Sequence, residues 1–423
     1  MPRTRRQEMI SLNNADVIVI GGGAAGMTAA VMAARKGRRV IILEHMDTLG
    51  KKLLATGNGK CNFANEAQGA DKYYGNDPAF VLPVFTQFGL PELLEFFEEL
   101  GIHPRLKKGG YYPGSGQASS VRTLFLLELQ RLGVGIVCNC GIRRVTKSKK
   151  SFLIETKQGN FHATKCILAT GGKTLRKSGS DGSGFLYLEA LGHHIIDIVP
   201  GLVGLKGKQS FFGDIAGIRA DAKIDLYIND QWICKEEGEL QLTGYGISGI
   251  PVFQFSRLAS RALTEGKDCH AQIDFLPSFE EAELGTYLAK RFALSSHMTM
   301  EQPLLGLLPD KLIPVLLGCA GVKPSACATG VSETQIMHIA RSIKHFRVDI
   351  TDWNQFDSAQ VSAGGVDTRE IEPHTMESRL VPGLYFAGEM VDIDGICGGY
   401  NLQWAWTSGA VAGIHAAADE ERL

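Results

Sequence analysis

Apolar residues in this chain gather in short dense runs that end on glycine, and the first of these sets the frame. Val17–Ile20 is one such run, and Val40–Leu43 is another. Runs of this length predict strands buried on both faces, as in a parallel sheet. Between them, Ala24–Lys36 is rich in alanine and predicts a helix. Similar runs return at Phe161–Ala169, before Thr170-Gly171-Gly172, and at Gly383–Ala387, before Gly388-Glu389. The pattern predicts an α/β chain whose first domain is Rossmann-like.

The rest of the pattern divides the chain further. Residues 78–102 have helical periodicity and split into two helices at Pro91, and Ser119 is a candidate N-cap for a helix through Leu132. Gly135–Val137 and Phe152–Thr156 predict a β-excursion, and a helix is expected from about Gly184 to Leu191. From Pro200 the segments become short, β-rich and turn-punctuated, including TGYGISGIPVFQFSR (243–257), which suggests a small antiparallel barrel or sandwich. Residues 279–344 are helical in pattern, with breaks at Pro309, Pro314 and Pro324, and a last β-like passage precedes the return of the first domain. The expected domains are therefore a disordered basic tail (1–14) and a discontinuous Rossmann-like domain (15–196 and 366–423). A β-barrel-like insert (197–278 and 345–365) carries a helical insert (279–344).

The glycines between the first strand and helix carry the first chemistry. Gly21, Gly23 and Gly26 have G-x-G-x-x-G spacing, and Glu44 ends the second strand about twenty residues on. Gly21 allows a tight turn, Gly23 lets a pyrophosphate approach the backbone, and Gly26 lets helix and strand pack closely. The helix N-terminus offers N–H groups and partial positive charge to the phosphates. Glu44 can accept hydrogen bonds from ribose hydroxyls and repels a 2′-phosphate. The polar stretch GKKLLATGNGKCNFAN (50–65) reads as a loop along the dinucleotide, with Lys51, Lys52 and Lys60 toward phosphates and Asn58 and Asn62 toward the far end. Ala169–Gly172 occupies a strand's carboxyl end, where ligands bind in open α/β sheets. Gly395, Gly398 and Gly399 then precede a helix from Asn401 to Ala412. A second helix N-terminus in the same domain suits a flavin, whose reduced ring carries negative charge, better than NAD.

Composition narrows the function. Lys plus Arg number 44 against 45 Asp plus Glu, so bulk charge calls for neither a nucleic-acid partner nor a membrane surface. Nine cysteines without C-x-x-C spacing fit a reducing cytoplasm. Cys61 and Cys397 lie in segments placed near the cofactor but read as buried inert thiols, and Cys138 and Cys140 as packing on one strand face. His193 and His194 read as capping or solvated. No His, Cys or carboxylate cluster has metal-ligand spacing. Arg3, Arg5 and Arg6 before an uncharged run imitate a signal peptide, but Asp16 and three consecutive glycines interrupt it, so a soluble protein is expected. Oligomeric state is not legible.

Taken together, VIGGGAAG (19–26), LLATGNGKCN (53–62), ATGGKTLRKSGSDGSG (169–184), TGYGISGIPVFQFSR (243–257) and the segment 363–409 resemble the BaiN-like, or aminoacetone-oxidase, flavoproteins. These are distantly similar to fumarate reductase and glutathione reductase flavoproteins. The resemblance implies FAD, held by Ala24, Gly26, Glu44, Lys51, Lys52, Gly59, Asn62, Val145, Ala169, Gly172, Glu389, Asn401 and Leu402. Their motif neighbours Gly21, Gly23, Ala25, His45, Gly57, Asn58, Thr170, Gly171, Gly388 and Gly399 complete the candidate set. The chain departs from many relatives at Gly244, where they carry His or an acid, and at Leu175 and Arg176, where they carry proline. These departures leave the substrate open. The expected function is FAD-dependent hydride transfer to or from a small organic molecule, by enone-type reduction or amine- or alcohol-type oxidation. NAD(P)H is a possible donor, although no second complete glycine motif marks its site. The alternatives are a non-catalytic or redox-sensing flavoprotein and a flavin- and folate-dependent RNA methyltransferase, which predicts a basic face for RNA and against which the near-neutral balance weighs. Among Tyr111, Tyr112 and Tyr245, the candidate proton donor is Tyr245, with Ser248 nearby.

Overall fold

The computed structural model describes residues 13–418, so most of the basic tail, Arg3, Arg5 and Arg6 included, lies outside the described residues. The chain forms two compact units, Met1–Ile198 with Gln360–Leu423, and Val199–Ala359. The boundaries fall after Ile198 and Ala359, rather than after residues 196 and 365 as the sequence suggested.

The first unit is built on a sheet whose centre is parallel. β1 (Asn14–Ile20) is followed by α1 (Ala24–Arg35) and β2 (Val40–Leu43); β3 (Gly159–Leu168) and β4 (Leu384–Phe386) are parallel to them, and Gly135–Val137, expected in the β-excursion, instead pairs in parallel with β2 at the sheet's edge. Ile20 pairs with both Leu43 and Leu168, and Leu168 with Phe386, so four strands end at one level. The strands are covered on both faces, and Val17–Val19, Ile42, Leu168 and Phe386 have no exposed surface. Ile142–Lys147 and Phe152–Thr156 form the antiparallel excursion that runs into β3.

α2 (Tyr400–Ala416) is longer than its sequence suggested and packs on α1 through small residues. A β-carbon on Gly409 would lie 2.4 Å from the Ala25 carbonyl oxygen, and one on Gly413 2.4 Å from that of Ala29. Phe63 stacks on Phe97 and Phe125 on Trp406, and Phe97 meets Trp406 edge-on, in an aromatic core. The two helices expected in 78–102 are Val81–Phe85 and Leu90–Glu99; Pro91 starts the second rather than separating them, where its missing N–H costs nothing. Gln117, not Ser119, occupies the N-cap of the helix Ala118–Arg131. No single helix among the described residues is long and apolar enough to cross a membrane.

The second unit contains a closed barrel of six strands, in the order Leu205–Gly207, Gly246–Gly249, Gln231–Thr243, Arg219–Ile228, Cys269–Asp274 and Phe346–Trp353. The helices Glu281–Leu294, Ile313–Cys319 and Glu333–Lys344 occupy the stretch expected to be helical. One β-rich expectation is corrected: Ile250–Thr264 is a helix, begun by Pro251 in its first turn. Its Val252, Phe255, Ala259 and Ala262 recur at helical spacing and are buried.

Candidate functional site

Each of the four aligned strands releases a site residue one step past its end: Gly21, Glu44, Ala169 and Ala387. Backbone bonds hold them level, from Gly21 to Leu43 at 2.9 Å, Ala169 to Ile20 at 2.8 Å and Ala387 to Leu168 at 3.0 Å. Gly21 turns there with φ +101°, and a β-carbon on it would lie 2.4 Å from the Ala169 oxygen. On Gly26 it would lie 1.9 Å from the Gly21 oxygen, which explains the tight helix–strand contact. Gly23 differs, since a β-carbon there meets nothing within 4 Å. Gly23 caps α1 with no side chain, and the first-turn N–H groups have no intrahelical acceptor. Gly23, Ala24 and Ala25 instead wall a cavity of ≈ 400 Å³.

Glu44 is buried at the lip of this cavity. Its carboxylate accepts the Gly22 N–H at 2.7 Å and the Met46 N–H at 2.8 Å, and His45 Nδ1 lies 3.5 Å away. Around it stand Cys140, Gly141, Ile142, Lys157, Tyr187 and the Ser178–Asp181 run. Tyr187 donates its hydroxyl hydrogen to the Ile142 carbonyl at 3.1 Å. Burial opposes ionisation of Asp181, but hydrogen bonds from the Ser183 hydroxyl and N–H more than offset it and hold the carboxyl below its usual range.

At the other end, Lys52 Nζ donates to Glu389 Oε2 at 2.6 Å and to Thr174 Oγ1 at 2.8 Å. The second Glu389 oxygen accepts the Ser362 N–H at 2.7 Å. The Asn401 side chain exchanges two bonds with the Gly395 backbone, at 2.8 and 2.7 Å, and so fixes the turn that starts α2. Trp404 Nε1 donates to the Gly388 oxygen at 3.1 Å, which ties the Gly388-Glu389 turn to α2.

Of the candidate residues, Gly21, Gly23, Ala24, Ala25, Glu44, His45, Lys51, Lys52, Ala169, Thr170, Gly171, Gly388, Glu389, Asn401 and Leu402 line the cavity. Gly26, Gly57, Asn58, Gly59, Asn62, Val145, Gly172 and Gly399 do not. Several of these shape the walls instead. A β-carbon on Gly172 would fall 2.4 Å from Ser362 Oγ and 2.7 Å from Glu389 Oε1. One on Gly399 would lie 2.8 Å from Asn62 Oδ1. Val145 is buried within the excursion, where it pairs with Ile154. Residues 52–59, expected to be loop, are 3₁₀ turns with a kink at Thr56–Asn58. Lys51 pairs with Asp47 at 2.7 Å and Lys52 with Glu389, so two of the expected phosphate cations have carboxylate partners. Lys60 is exposed.

Tyr245 lies in the barrel unit, in the turn between Gln231–Thr243 and Gly246–Gly249, with its hydroxyl against Gly204. Tyr111 and Tyr112 are half-buried on the strand Gly110–Pro113. Cys61 is buried and its thiol pushed up to about 12, and burial also raises Cys397. Cys138 and Cys140 lie beyond the strand end at Val137, not on a strand face. His193 is neither a cap nor solvated; it is buried between Glu370 at 2.9 Å and Ser378 at 3.1 Å. The sequence reading missed Ser178–Asp181, Ser183, Tyr187, Cys140–Ile142 and Lys157. The glycine–serine alternation of SGSDGSG (178–184), just after a strand's carboxyl end, was the available signal.

These residues fit FAD. The open cradle at Gly23, the acid beyond β2 and the α2 N-terminus supply the donors and the room that a flavin dinucleotide requires. Comparison with known proteins points the same way. The HI0933-like protein Rossmann domain family matches residues 15–415. The chain is 44% identical over 401 residues to a 3-dehydro-bile acid delta(4,6)-reductase of Clostridium scindens, covering 94% of this chain and 98% of the relative. It is 27% identical over 393 residues to the ribosomal RNA dihydrouridine synthase of Escherichia coli, covering 93% and 96%. Among solved structures, the open conformation of a flavocytochrome c3 fumarate reductase aligns with TM-score 0.51 at 15% identity, over 99% of this chain and 81% of that one. This last likeness concerns the fold.

Proposed function

The chain belongs to the HI0933-like Rossmann family and is an FAD-dependent oxidoreductase, and on that premise we propose that it reduces a C=C bond conjugated to a carbonyl in a small organic molecule. The carrying observation is the 44% identity with an enone-type reductase over nearly the full length of both chains. The activity named for the ribosomal RNA relatives also saturates a C=C bond conjugated to a carbonyl, that of uridine. Reaction type is thus shared by relatives whose substrates differ in size, and the higher identity favours the small molecule. NAD(P)H is the proposed donor.

Bound FAD supplies the hydride chemistry, and the protein supplies orientation, exclusion of water and a proton. The first-turn N–H groups of α1 would hold the phosphates, and those of α2, at Asn401 and Leu402, would supply positive potential to the same cavity. Lys52 and Glu389 stand in the cavity wall, braced from behind by Thr174 and the Ser362 N–H. Tyr245 is the proposed proton donor, as the phenol of the segment 243–257 that the resemblance singled out.

The test is anaerobic reduction by NADH or NADPH, followed by stopped-flow reoxidation with a 3-oxo-4-ene steroid, with oxygen, and with an rRNA transcript. Reoxidation by the steroid well above the oxygen rate supports the proposal. Reoxidation by the transcript alone moves the substrate to RNA, and no reaction with either removes C=C reduction. Tyr245→Phe that reoxidises at the wild-type rate removes Tyr245 as donor.

A further inference from the structure

We propose that the hairpin of Pro104–Lys107 and Gly110–Pro113 recognises an anionic group on the substrate, with Arg105, Lys107 and Lys108 as its cations. The inference rests on the proposed enone reduction and names a substrate class for it: a conjugated enone whose other end carries a carboxylate or a phosphate. The two strands are joined by Lys108 and Gly109 alone, and both are left-handed, with φ 49° and 80°. A two-residue turn of this kind favours asparagine, aspartate or glycine, and a lysine held there is uncommon and conformationally costly. The hairpin therefore keeps a cation at its tip where asparagine would fit better. Arg105, Lys107 and Lys108 are all exposed, and they make no ion pair among the described residues. The carboxylate of Glu66 approaches the turn, 3.6 Å from the position of a β-carbon on Gly109, and pairs with none of them. Lys51 and Lys52, by contrast, are engaged by Asp47 and Glu389.

The register of the hairpin says where these charges stand. Lys107 pairs with Gly110 and Arg105 with Tyr112, so Arg105 and Lys107 share the sheet face of Gly110. A β-carbon on Gly110 would lie 2.7 Å from Asn62 Oδ1, and one on Gly399 would lie 2.8 Å from the same atom. Asn65, which pairs with Gly110, donates from its side chain to the Gly398 oxygen at 2.9 Å. The cationic face thus abuts the Gly398-Gly399 turn that starts α2, whose Asn401 and Leu402 line the cavity. Arg105 and Lys107 themselves lie outside that lining. Two residues along a strand are about 6.6 Å apart, so one carboxylate or phosphate can sit between their charged ends. A substrate with its enone in the cavity and its anion on the hairpin would be held at both ends.

The experiment uses the FAD-loaded protein, reduced anaerobically with dithionite so that no donor has to be assumed. It is reoxidised in stopped flow by a 3-oxo-4-ene steroid with a side-chain carboxylate, by the corresponding phosphate ester and by the neutral methyl ester. The concentration dependence gives an apparent Kd and a limiting rate for each. The expected result is tighter binding of an anionic steroid than of the ester, with an advantage that shrinks as salt is raised. The carboxylate and phosphate arms show which anion is the better fit. Arg105→Gln, Lys107→Gln and Lys108→Asn should each weaken the anionic steroid about two- to fivefold and leave the ester and the limiting rates unchanged. Lys107→Arg should restore binding. Lys108→Asn should also hold or raise the melting temperature, because asparagine suits the turn. A fall in that temperature makes Lys108 a structural residue and overturns the proposal. So does ester binding that matches the acid at low salt, or variants that weaken both alike. An rRNA transcript whose binding is lost in the same variants while both steroids are unaffected overturns it too, and gives the cations to RNA phosphates. If no steroid reoxidises the flavin, the enone reading itself fails, and this proposal with it.

Discussion

Removing the Glu44 carboxylate should damage the protein twice, in the empty state and in the loaded one. One oxygen accepts the Gly22 N–H at 2.7 Å and the other the Met46 N–H at 2.8 Å. In Glu44→Ala the buried Gly22 donor and the half-buried Met46 donor lose their acceptor, and a β-carbon on Gly22 would already lie 2.2 Å from Leu49 Cδ2, so the turn has little room to re-form around water. Each charge-assisted bond contributes about 1.5–3 kcal/mol, and the two act on one turn, so their losses do not add in full. A loss of roughly 2–4 kcal/mol of stability follows, or about 5–10 °C in melting temperature for a unit of this size. The sequence alone marked Glu44 for ribose binding; the structure adds the stability loss. Differential scanning fluorimetry of the flavin-free chain, beside FAD calorimetry, separates the two effects. Glu44→Gln should fall between, because an amide keeps one acceptor but turns its NH₂ toward the second N–H. A flavin-free Glu44→Ala chain that melts within 1 °C (about the assay's precision) of wild type would refute the clamp, whatever happens to affinity.

The other outcomes follow from single contacts. Gly23→Val fills the one open position of the glycine turn and should abolish FAD binding while leaving the flavin-free melting temperature nearly unchanged, checked by flavin content and fluorimetry. Gly409→Val forces α2 from α1, where even a β-carbon would lie 2.4 Å from the Ala25 oxygen; a stability loss of at least about 1–3 kcal/mol is expected in chemical denaturation. Burial lowers the pKa of His193 below the unfolded value of 6.5 despite its bond to Glu370. The unfolded chain therefore binds more protons below that value, so the contribution is complete above pH 6.5 and lost as pH falls through the folded-state pKa. Melting temperatures between about pH 8 and pH 5 should fall less steeply in His193→Gln than in wild type. Thiol reagents should label exposed Cys327, whose thiol Thr329 holds below its usual range, and leave Cys61 unmodified until the protein unfolds, as peptide mapping would show.

Much of the cofactor cradle was legible because its parts are close in sequence. Gly21, Gly23, Gly26 and Glu44 sit on one βαβ unit, and the spacing of apolar runs fixes which residue leaves each strand first. The helix Ile250–Thr264 was less legible, because TGYGISGIP carries strand and turn signals up to the proline that starts it. His193 was missed for another reason: Glu370 and Ser378 lie 177 and 185 residues away, and neither has a local pattern that announces a partner.

Lys52 marks the limit most clearly. Three lysines within ten residues of a glycine-rich loop read naturally as phosphate ligands, since charge is visible in a sequence and its neutralisation is not. The fold spends Lys52 on Glu389, which is 337 residues distant, and Lys51 on Asp47, four residues back. With those two cations engaged, the α1 N–H groups remain as donors suited to a pyrophosphate. Such donors leave little compositional trace, because serine, threonine and glycine are common in every loop. Ser180, which the sequence did not mark, is an example: its buried hydroxyl has no partner among the described residues.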